Sequence, residues 1–366
     1  MRMRITIGLI HEKLRQCCLK KRQQKRVLLR RNGLLGDTVV AFPAFQALRA
    51  HYRDAHITLL HDAYAGQLSQ RDILKHTNLV DSYLAYNPAT GLRGKIKLFN
   101  TIRRNRYSEG VNLAESDKRP AQYLRDRLFF YFAGIEKLIG FTKPAVGGDI
   151  SEQAFLAAFL SENGIACAAP TGSVFSPTPG QIRRCEEIIS ERLERWRGQT
   201  LVAFAPGSNM PVKRWPLSRF ARLGGMLVDR FGIVPVVLGG ASDQELGESL
   251  VGEWGAGVNL AGVTDILQSY IILGKCALYV GNDTGTMHLA AYAGTKCVAI
   301  FSSRDRAGKW SPSGEGHIVL RKEMDCSGCM RTECGKTDTC ISGVTIEETS
   351  AACAAVLERK ERVATG

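Results

Sequence analysis

From Val27 onward, short apolar runs alternate with longer stretches whose apolar residues recur every three or four positions. RVLLRR predicts a strand and TVVAFPAFQALRAHY an amphipathic helix, because the period changes from a continuous apolar run to a helical one. HITLLHD and DSYLAYN predict two further strands. After a stretch rich in Arg and Lys, Leu92 to Arg106, EGVNLAES reads as a strand and RDRLFFYFAGI as a helix. APTGSVFSPTPG, residues 169–180, has the Pro, Ser, Thr and Gly content of a linker.

A second series follows. QIRRCEEIISERLERW is a helix, TLVAFAPGS a strand, and PLSRFARLGGMLVDRFG a helix with Leu217, Phe220, Leu223 and Leu227 on one face. VPVVLGG, ALYVGN and CVAIFSS read as strands, and DQELGESLVGEW, DILQSYIILGKC and TGTMHLAAYAG as helices. Thr345 and Glu348 form a capping box for a last helix, roughly 346–361. Strands alternating with helices over short links predict an α/β protein with parallel, doubly wound sheets. The expected division is a basic leader (1–26), an N-terminal domain (27–170), a C-terminal domain (171–345) and a C-terminal helix and tail (346–366). Ligands of such sheets bind at the carboxyl ends of the strands.

Charge changes the picture. The 366 residues carry a net charge of +14. Residues 1–150 hold 27 Lys and Arg against 12 Asp and Glu, a net +15, whereas residues 151–366 hold 22 against 23. Residues 1–31 contain 11 basic residues and one acid, Glu12. One half of the molecule is built to face an anion: nucleic acid, an anionic membrane surface or a phosphorylated acceptor. The leader mixes its basic residues with Ile5, Ile7, Leu9, Ile10, Leu14 and Leu19. It reads either as an amphipathic helix on a membrane surface or as a solvated segment.

No apolar run approaches the roughly 20 residues needed to span a bilayer. ITIGLI is too short for the core of a signal peptide, so a cytoplasmic location is expected. Eleven cysteines are too sparse for a secreted disulfide scaffold. Four of them, Cys326, Cys329, Cys334 and Cys340, have a spacing that permits a thiolate metal site, free thiols or a labile disulfide.

Three loops carry candidate chemistry. RNGLLGDT follows the first strand and puts a carboxylate, Asp37, where a phosphate-binding turn would want positive potential. Asp37 is either a helix N-cap or a general base exposed at a cleft. FAPGSNMPVKRWP (204–216) sets Ser208, Lys213 and Arg214 ahead of a helix start, as a surface Lys-Arg pair or as a diphosphate site. In YVGNDTGTMHLAAYAG (279–294), Thr284, Gly285 and Thr286 suit a pyrophosphate, Gly285 by letting a ligand approach the backbone. Asp283 is a cap or a ligand contact, and His288 lies one turn into the helix. LGGASDQE (238–245) is a further strand-to-helix turn whose acids, Asp243 and Glu245, suit ribose hydroxyls.

Taken together, the blocks NGLLGDTVVAFPAFQALR, PGSNMPVKRWPLSRFARL, VVLGGASDQE, GNDTGTMHLAAYAGTKCVAIF and CSGCMRTECGKTDTC resemble the ADP-heptose:lipopolysaccharide heptosyltransferases, in the family's order and over residues 27 to about 350. The resemblance implies a glycosyltransferase-B fold of two Rossmann-like domains facing a central cleft. The C-terminal domain would hold the nucleotide-sugar and the N-terminal domain a phosphorylated, lipid-linked core oligosaccharide. Asp37 would be the base that deprotonates the acceptor hydroxyl in an inverting transfer of heptose from ADP-heptose. Lys213 would supply the cation for the departing ADP, with no metal or other cofactor expected. Ser208, Glu245, Asp283, Thr284, Gly285 and His288 would line the donor site. Arg103, Arg104 and Arg125 lead the candidates for acceptor anions, with Arg106, Lys118, Arg119 and Arg127 behind them. The enzyme would work in the cytoplasm, peripheral to the inner membrane, with no nucleic-acid partner.

Other readings differ in kind. One keeps the fold with another donor sugar or a protein acceptor. A non-catalytic nucleic-acid-binding protein would explain the charge, although no DNA- or RNA-binding motif is present. A nucleotide-sugar epimerase of similar architecture would turn over donor alone.

Overall fold

The computed structural model describes residues 24–63, 68–114, 116, 118–146, 149–167, 172–337 and 339–365. The leader reading, as a membrane-surface helix or a solvated segment, falls on residues that are almost all outside these. The chain builds two parallel sheets. The first joins β1 (Arg26–Arg30), β2 (His56–Asp62), β3 (Ser82–Tyr86), β4 (Glu109–Asn112) and β5 (Lys137–Ile139) in the order β3-β2-β1-β4-β5. The second joins β6 (Leu201–Ala205), β7 (Val234–Val237), β8 (Val258–Asn259), β9 (Leu278–Asn282), β10 (Lys296–Phe301) and β11 (Ile318–Arg321) in the order β11-β10-β9-β6-β7-β8. Central strands such as LVAFA and LYVGN are buried on both faces, which is why they read as continuous apolar runs rather than alternating ones.

Each order reverses direction once. In the first sheet the chain winds outward from β1 through β3, then restarts at β4 on the other side of β1. In the second it winds from β6 through β8 and restarts at β9. Loops that diverge at such switch points leave a crevice at the carboxyl ends of the strands. Here those loops begin at Arg31 and Leu113 in one sheet, and at Pro206 and Asp283 in the other.

The helices are α1 (Leu35–Val40), α2 (Phe42–His51), α3 (Gln70–Leu74), α4 (Gly91–Asn105), α5 (Pro120–Phe132) and α6 (Glu152–Glu162) with the first sheet. With the second run α7 (Pro179–Leu193), α8 (Leu217–Phe231), α9 (Gln244–Trp254), α10 (Ile266–Lys275), α11 (Gly285–Tyr292) and α12 (Ile346–Thr365). The expected single helix after β1 is two, α1 and α2, meeting at Ala41. Pro43 explains the break: it has no N–H to continue α1 and sits in the first turn of α2, where that donor is not needed. The basic stretch from Leu92 is a full helix, α4, which buries Leu98 and Ile102 and ends with Arg106 in a left-handed conformation (φ 49°).

The stretch expected to be a linker is a packed strap over its described residues, 172–178. Phe175 is buried, bridges Thr77 in antiparallel fashion, and stands edge-on to Phe42 at 5.6 Å. Tyr270 and Tyr292 complete the cluster, which joins apolar side chains from both halves. A polar seam also crosses between the halves: Arg306 Nη2 donates to the Ile150 carbonyl at 2.6 Å, and the Glu152 N–H donates to the Lys309 carbonyl at 2.9 Å. Ser313 and Gln153 hydrogen-bond beside it. The last helix packs Cys353 and Leu357 into the core of the second sheet, under the predicted Thr345–Glu348 capping box.

Candidate active site

The two crevices face each other. The loop before α1 lies against the start of α11, glycine to glycine. A methyl group on Gly36 would come within 3.1 Å of the His288 ring and 3.5 Å of Gly285 Cα. One on Gly285 would fall 2.6 Å from Leu35 Cβ. The close approach that Gly285 permits in this structure is therefore to Leu35, where a ligand was expected. The N-terminal ends of α1 and α11 thus meet at one point, and their unpaired N–H groups converge there.

Asp37 stands at this point, partly buried. It is the third residue of α1 rather than its N-cap, which is Leu34. Its Oδ2 accepts the Leu34 N–H at 2.8 Å, and one face of its side chain is covered by Gly33, held at φ 123°. A side chain at Gly33 would overlap Asp37, and φ in this region is strained for residues other than glycine. The turn is propped from behind by Arg31, fully buried, which donates to the carbonyls of Leu113 (3.1 Å) and Asp37 (3.4 Å) and pairs with buried Glu152. Capping and exposure toward the opposite domain are thus compatible. One carboxylate oxygen serves the helix, and the other has no hydrogen-bond partner among the described residues.

Across the crevice, Asn282 ends β9 and ties the loops of the second sheet together. Its Nδ2 donates to the Pro206 carbonyl at 2.7 Å, and its Oδ1 accepts the Trp215 N–H at 3.0 Å. The PG turn, the KRWP loop and the NDTG turn are therefore one body. Asp243 joins it: its carboxylate accepts the Gly240 N–H at 2.9 Å and lies where side chains on Gly207 or Gly239 would be. Ser208, partly exposed, accepts the Met210 N–H through its hydroxyl, and Glu245 is exposed in the first turn of α9. Arg214 is exposed and donates to the Ser208 carbonyl.

Lys213 is not a free cation. Its Nζ lies 2.5 Å from Asp283 Oδ2 and 3.3 Å from Asp305 Oδ2, and Arg304 pairs with Asp305 at 2.6 Å. Burial pushes the Asp283 carboxyl up, against the pull of Lys213. At Asp305 burial acts in the same sense, but the Lys213 and Arg304 cations outweigh it and hold the carboxyl below its ordinary value. Any anion that drew on Lys213 would therefore have to compete with two carboxylates. Asp283 and Thr284 open the turn that α11 continues, but Asp283 serves Lys213 and does not cap the helix.

His288 is buried, with its ring edge-on to Trp310 at 6.3 Å and no hydrogen-bond partner on Nδ1. Burial, helped by Lys213, pushes its pKa down to about 3. The ring is neutral wherever an enzyme would work, and it packs rather than transfers protons. Below the ordinary histidine value of 6.5 the unfolded chain takes up a proton that the folded chain refuses. His288 therefore costs stability as pH falls from 6.5 toward 3, by up to about 1.4 kcal/mol per pH unit. Urea unfolding of His288→Gln should show a shallower acid limb over that window than wild type. Parallel limbs would refute the buried neutral assignment.

The expected acceptor residues separate. Arg103 and Arg104 sit in the last turn of α4, next to Asn105, which binds Arg26 at the start of β1. They occupy the amino edge of the first sheet, the opposite edge from Asp37, and so are removed from the site. Arg125 is at the correct edge. With Arg30, at the end of β1, and Lys118, in the loop after β4, it surrounds one buried carboxylate, Asp126. Burial lowers the Lys118 pKa, and the neighbouring arginines add to the shift. Burial opposes ionisation of Asp126, but Arg30 and Lys118 prevail and lower its pKa. Three cations around one carboxylate leave positive charge to spare at the first crevice.

The sequence reading missed Arg30, Asn282, Arg304 and Asp305. All four lie at the end of a buried strand or in the loop after it, which was the one available signal. The four clustered cysteines do not gather. Cys340 is buried and its Sγ accepts the Ser303 N–H, while Cys326 accepts from Lys336 at 3.4 Å. Among the described residues no three His, Cys, Asp or Glu side chains are grouped to hold a metal ion.

Residues 167–339 match the family described as glycosyltransferase family 9 (heptosyltransferase). The lipopolysaccharide heptosyltransferase 2 of Escherichia coli K12 is 26% identical over 287 residues, 73% of this chain and 80% of that protein. The crystal structure of a family 9 glycosyltransferase from Veillonella parvula matches with a TM-score of 0.71 at 19% identity, covering 92% of this chain and 97% of that one. That of the Escherichia coli ADP-heptose lipopolysaccharide heptosyltransferase II matches at 0.64 and 21%, covering 92% and 100%. At such identities the structural likeness speaks for the fold.

Proposed function

Given that this chain belongs to the heptosyltransferases of glycosyltransferase family 9, enzymes of the glycosyltransferase-B fold, we propose that it transfers heptose from ADP-heptose to a hydroxyl of a lipid-linked lipopolysaccharide core, with inversion. As a glycosyltransferase it is not the non-catalytic nucleic-acid-binding protein that its charge alone would allow. The observation that carries the reading is the meeting of the Asp37 turn with the N-terminus of α11, two glycine loops from two sheets.

In one displacement the acceptor oxygen attacks the anomeric carbon while the bond from that carbon to the ADP phosphate oxygen breaks. Asp37 takes the hydroxyl proton, and ADP leaves with the bonding pair. Charge on the departing diphosphate is met by the N–H groups of Gly285 and its neighbours and by Lys213, which turns from Asp283 toward phosphate. Ser208 and Glu245 are assigned to the nucleotide, Glu245 accepting from ribose hydroxyls. His288 contributes a wall. Arg30, Lys118 and Arg125 are assigned to a phosphate or carboxylate of the acceptor, which would relieve their crowding. The chemistry proposed asks nothing of a metal.

Calorimetry with ADP-heptose, ADP, UDP and UDP-sugars tests the donor side. ADP and ADP-heptose should bind at least about tenfold more tightly than their uridine counterparts, a difference of about 1.4 kcal/mol. Preference for UDP would discard the donor assignment, and no nucleotide binding would discard the site.

A further inference from the structure

Helices α4 and α5 lie side by side on the outer face of the first sheet, where Phe99 meets Phe129 at a ring separation of 5.8 Å. Each has an inner apolar face that is buried: Leu98 and Ile102 in α4, Tyr123 and Phe130 in α5. Each also carries a second apolar stripe that faces outward. In α5 this is Leu124, Leu128, Tyr131 and Phe132, between 46% and 62% exposed. These positions follow i, i+4, i+7 and i+8, the spacing of one helix face. In α4 it is Leu92 and Ile96, 73% and 54% exposed and also four apart. These six are half of the large apolar side chains exposed among the described residues. Scattered apolar residues need no explanation, but two adjoining stripes do.

Their surroundings identify the partner. Arg93, Lys95, Lys97, Arg119, Arg125 and Arg127 are exposed around the stripes. Helix α4 contains no acidic residue, and the only acid of α5, Asp126, is buried. A second copy of the chain would bring the same positive charge to the contact. Residues 1–23, with seven basic residues and one acid, would be repelled in the same way. An apolar face rimmed by Lys and Arg suits the interface of an anionic bilayer, with apolar side chains among acyl chains and cations at the headgroups. No helix among the described residues is long and apolar enough to cross a membrane, so the contact would be superficial.

We infer that the outer face of α4 and α5 is a docking surface for an anionic lipid bilayer. Both helices begin at the carboxyl edge of the first sheet, so Leu92, Ile96 and Leu124 lie toward the edge that carries Asp37 and the Arg30–Lys118–Arg125 cluster. That placement matters only if the acceptor is lipid-linked, as proposed above; binding to lipid does not depend on it.

The test is co-sedimentation of the full chain with vesicles of phosphatidylcholine, with and without phosphatidylglycerol. Wild type should pellet with the mixed vesicles and much less with phosphatidylcholine alone. The variant Leu92→Ser/Ile96→Ser/Leu128→Ser/Phe132→Ser should bind the mixed vesicles at least tenfold more weakly, with an unchanged thermal midpoint. Lys95→Glu/Lys97→Glu, which leaves the apolar residues in place, should also weaken binding and make the remainder less salt-sensitive. Equal pelleting of wild type and the fourfold variant would overturn the inference, as would no pelleting of wild type. A wild-type dimer that the fourfold variant converts to monomer would assign the face to self-association instead. ADP binding, measured separately, reports on the donor site and is expected to be the same in all these variants.

Discussion

Replacing Asp37 with Asn is expected to lower kcat by about 10²–10⁴-fold while leaving the affinity for ADP and the fold intact, the loss typical of removing a general base. The substitution isolates the chemistry because of how Asp37 is held. Its Oδ2 accepts the Leu34 N–H, and an amide oxygen does the same. The glycine covering it at position 33 sees a side chain of equal size. Alanine is a worse test, since it also removes this local bond at about 1 kcal/mol. Single-turnover measurement with saturating donor should show the whole loss in the chemical step. Retention of more than a tenth of wild-type kcat would remove Asp37 from the role of base.

The second large effect is at Lys213, where a structural and a functional loss coincide. Lys213→Met leaves Asp283 and Asp305 buried beside each other with Arg304 as their remaining cation. Breaking a buried pair from one side costs about 3–5 kcal/mol, because the remaining charge has no compensation. Turnover should also fall, by about 10²–10³-fold, if Lys213 meets charge that develops on the leaving diphosphate. The double variant Lys213→Met/Asp283→Asn separates the two. It should recover most of the stability in urea titration and none of the turnover. Recovery of both would mean that Lys213 only neutralises Asp283.

Much of this could be read from residue order. Eight of the strands stand out in the residue pattern, and the three loops named for chemistry do lie at the switch points; the edge strands β5, β8 and β11, two to four residues long, are too short to carry a pattern. Pattern reading failed where a contact between distant segments decides the outcome. Lys213 reads as a free cation because Asp283 and Asp305 are 70 and 92 positions away. Gly285 reads as room for a ligand because nothing near it in sequence announces Leu35. Arg103 and Arg104 read as acceptor contacts until the direction of α4 carries them to the far edge of the sheet. The outward stripe of α5 is visible in RDRLFFYF, but periodicity alone cannot separate its inward face from its outward one.

Glu152 gives the seam between the halves a mechanical meaning. Through its backbone N–H it holds the Lys309 carbonyl, and through its side chain it holds Arg31, which in turn grips the Asp37 carbonyl. If the halves swing apart to admit substrates, this chain of bonds makes a fulcrum, and Asp37 sits close to it. Displacement in a rotation grows with distance from the axis. The Asp37 carboxylate would then move little while the far rims of the crevice travel furthest, so in the role of base proposed above it would not have to be rebuilt at each turnover.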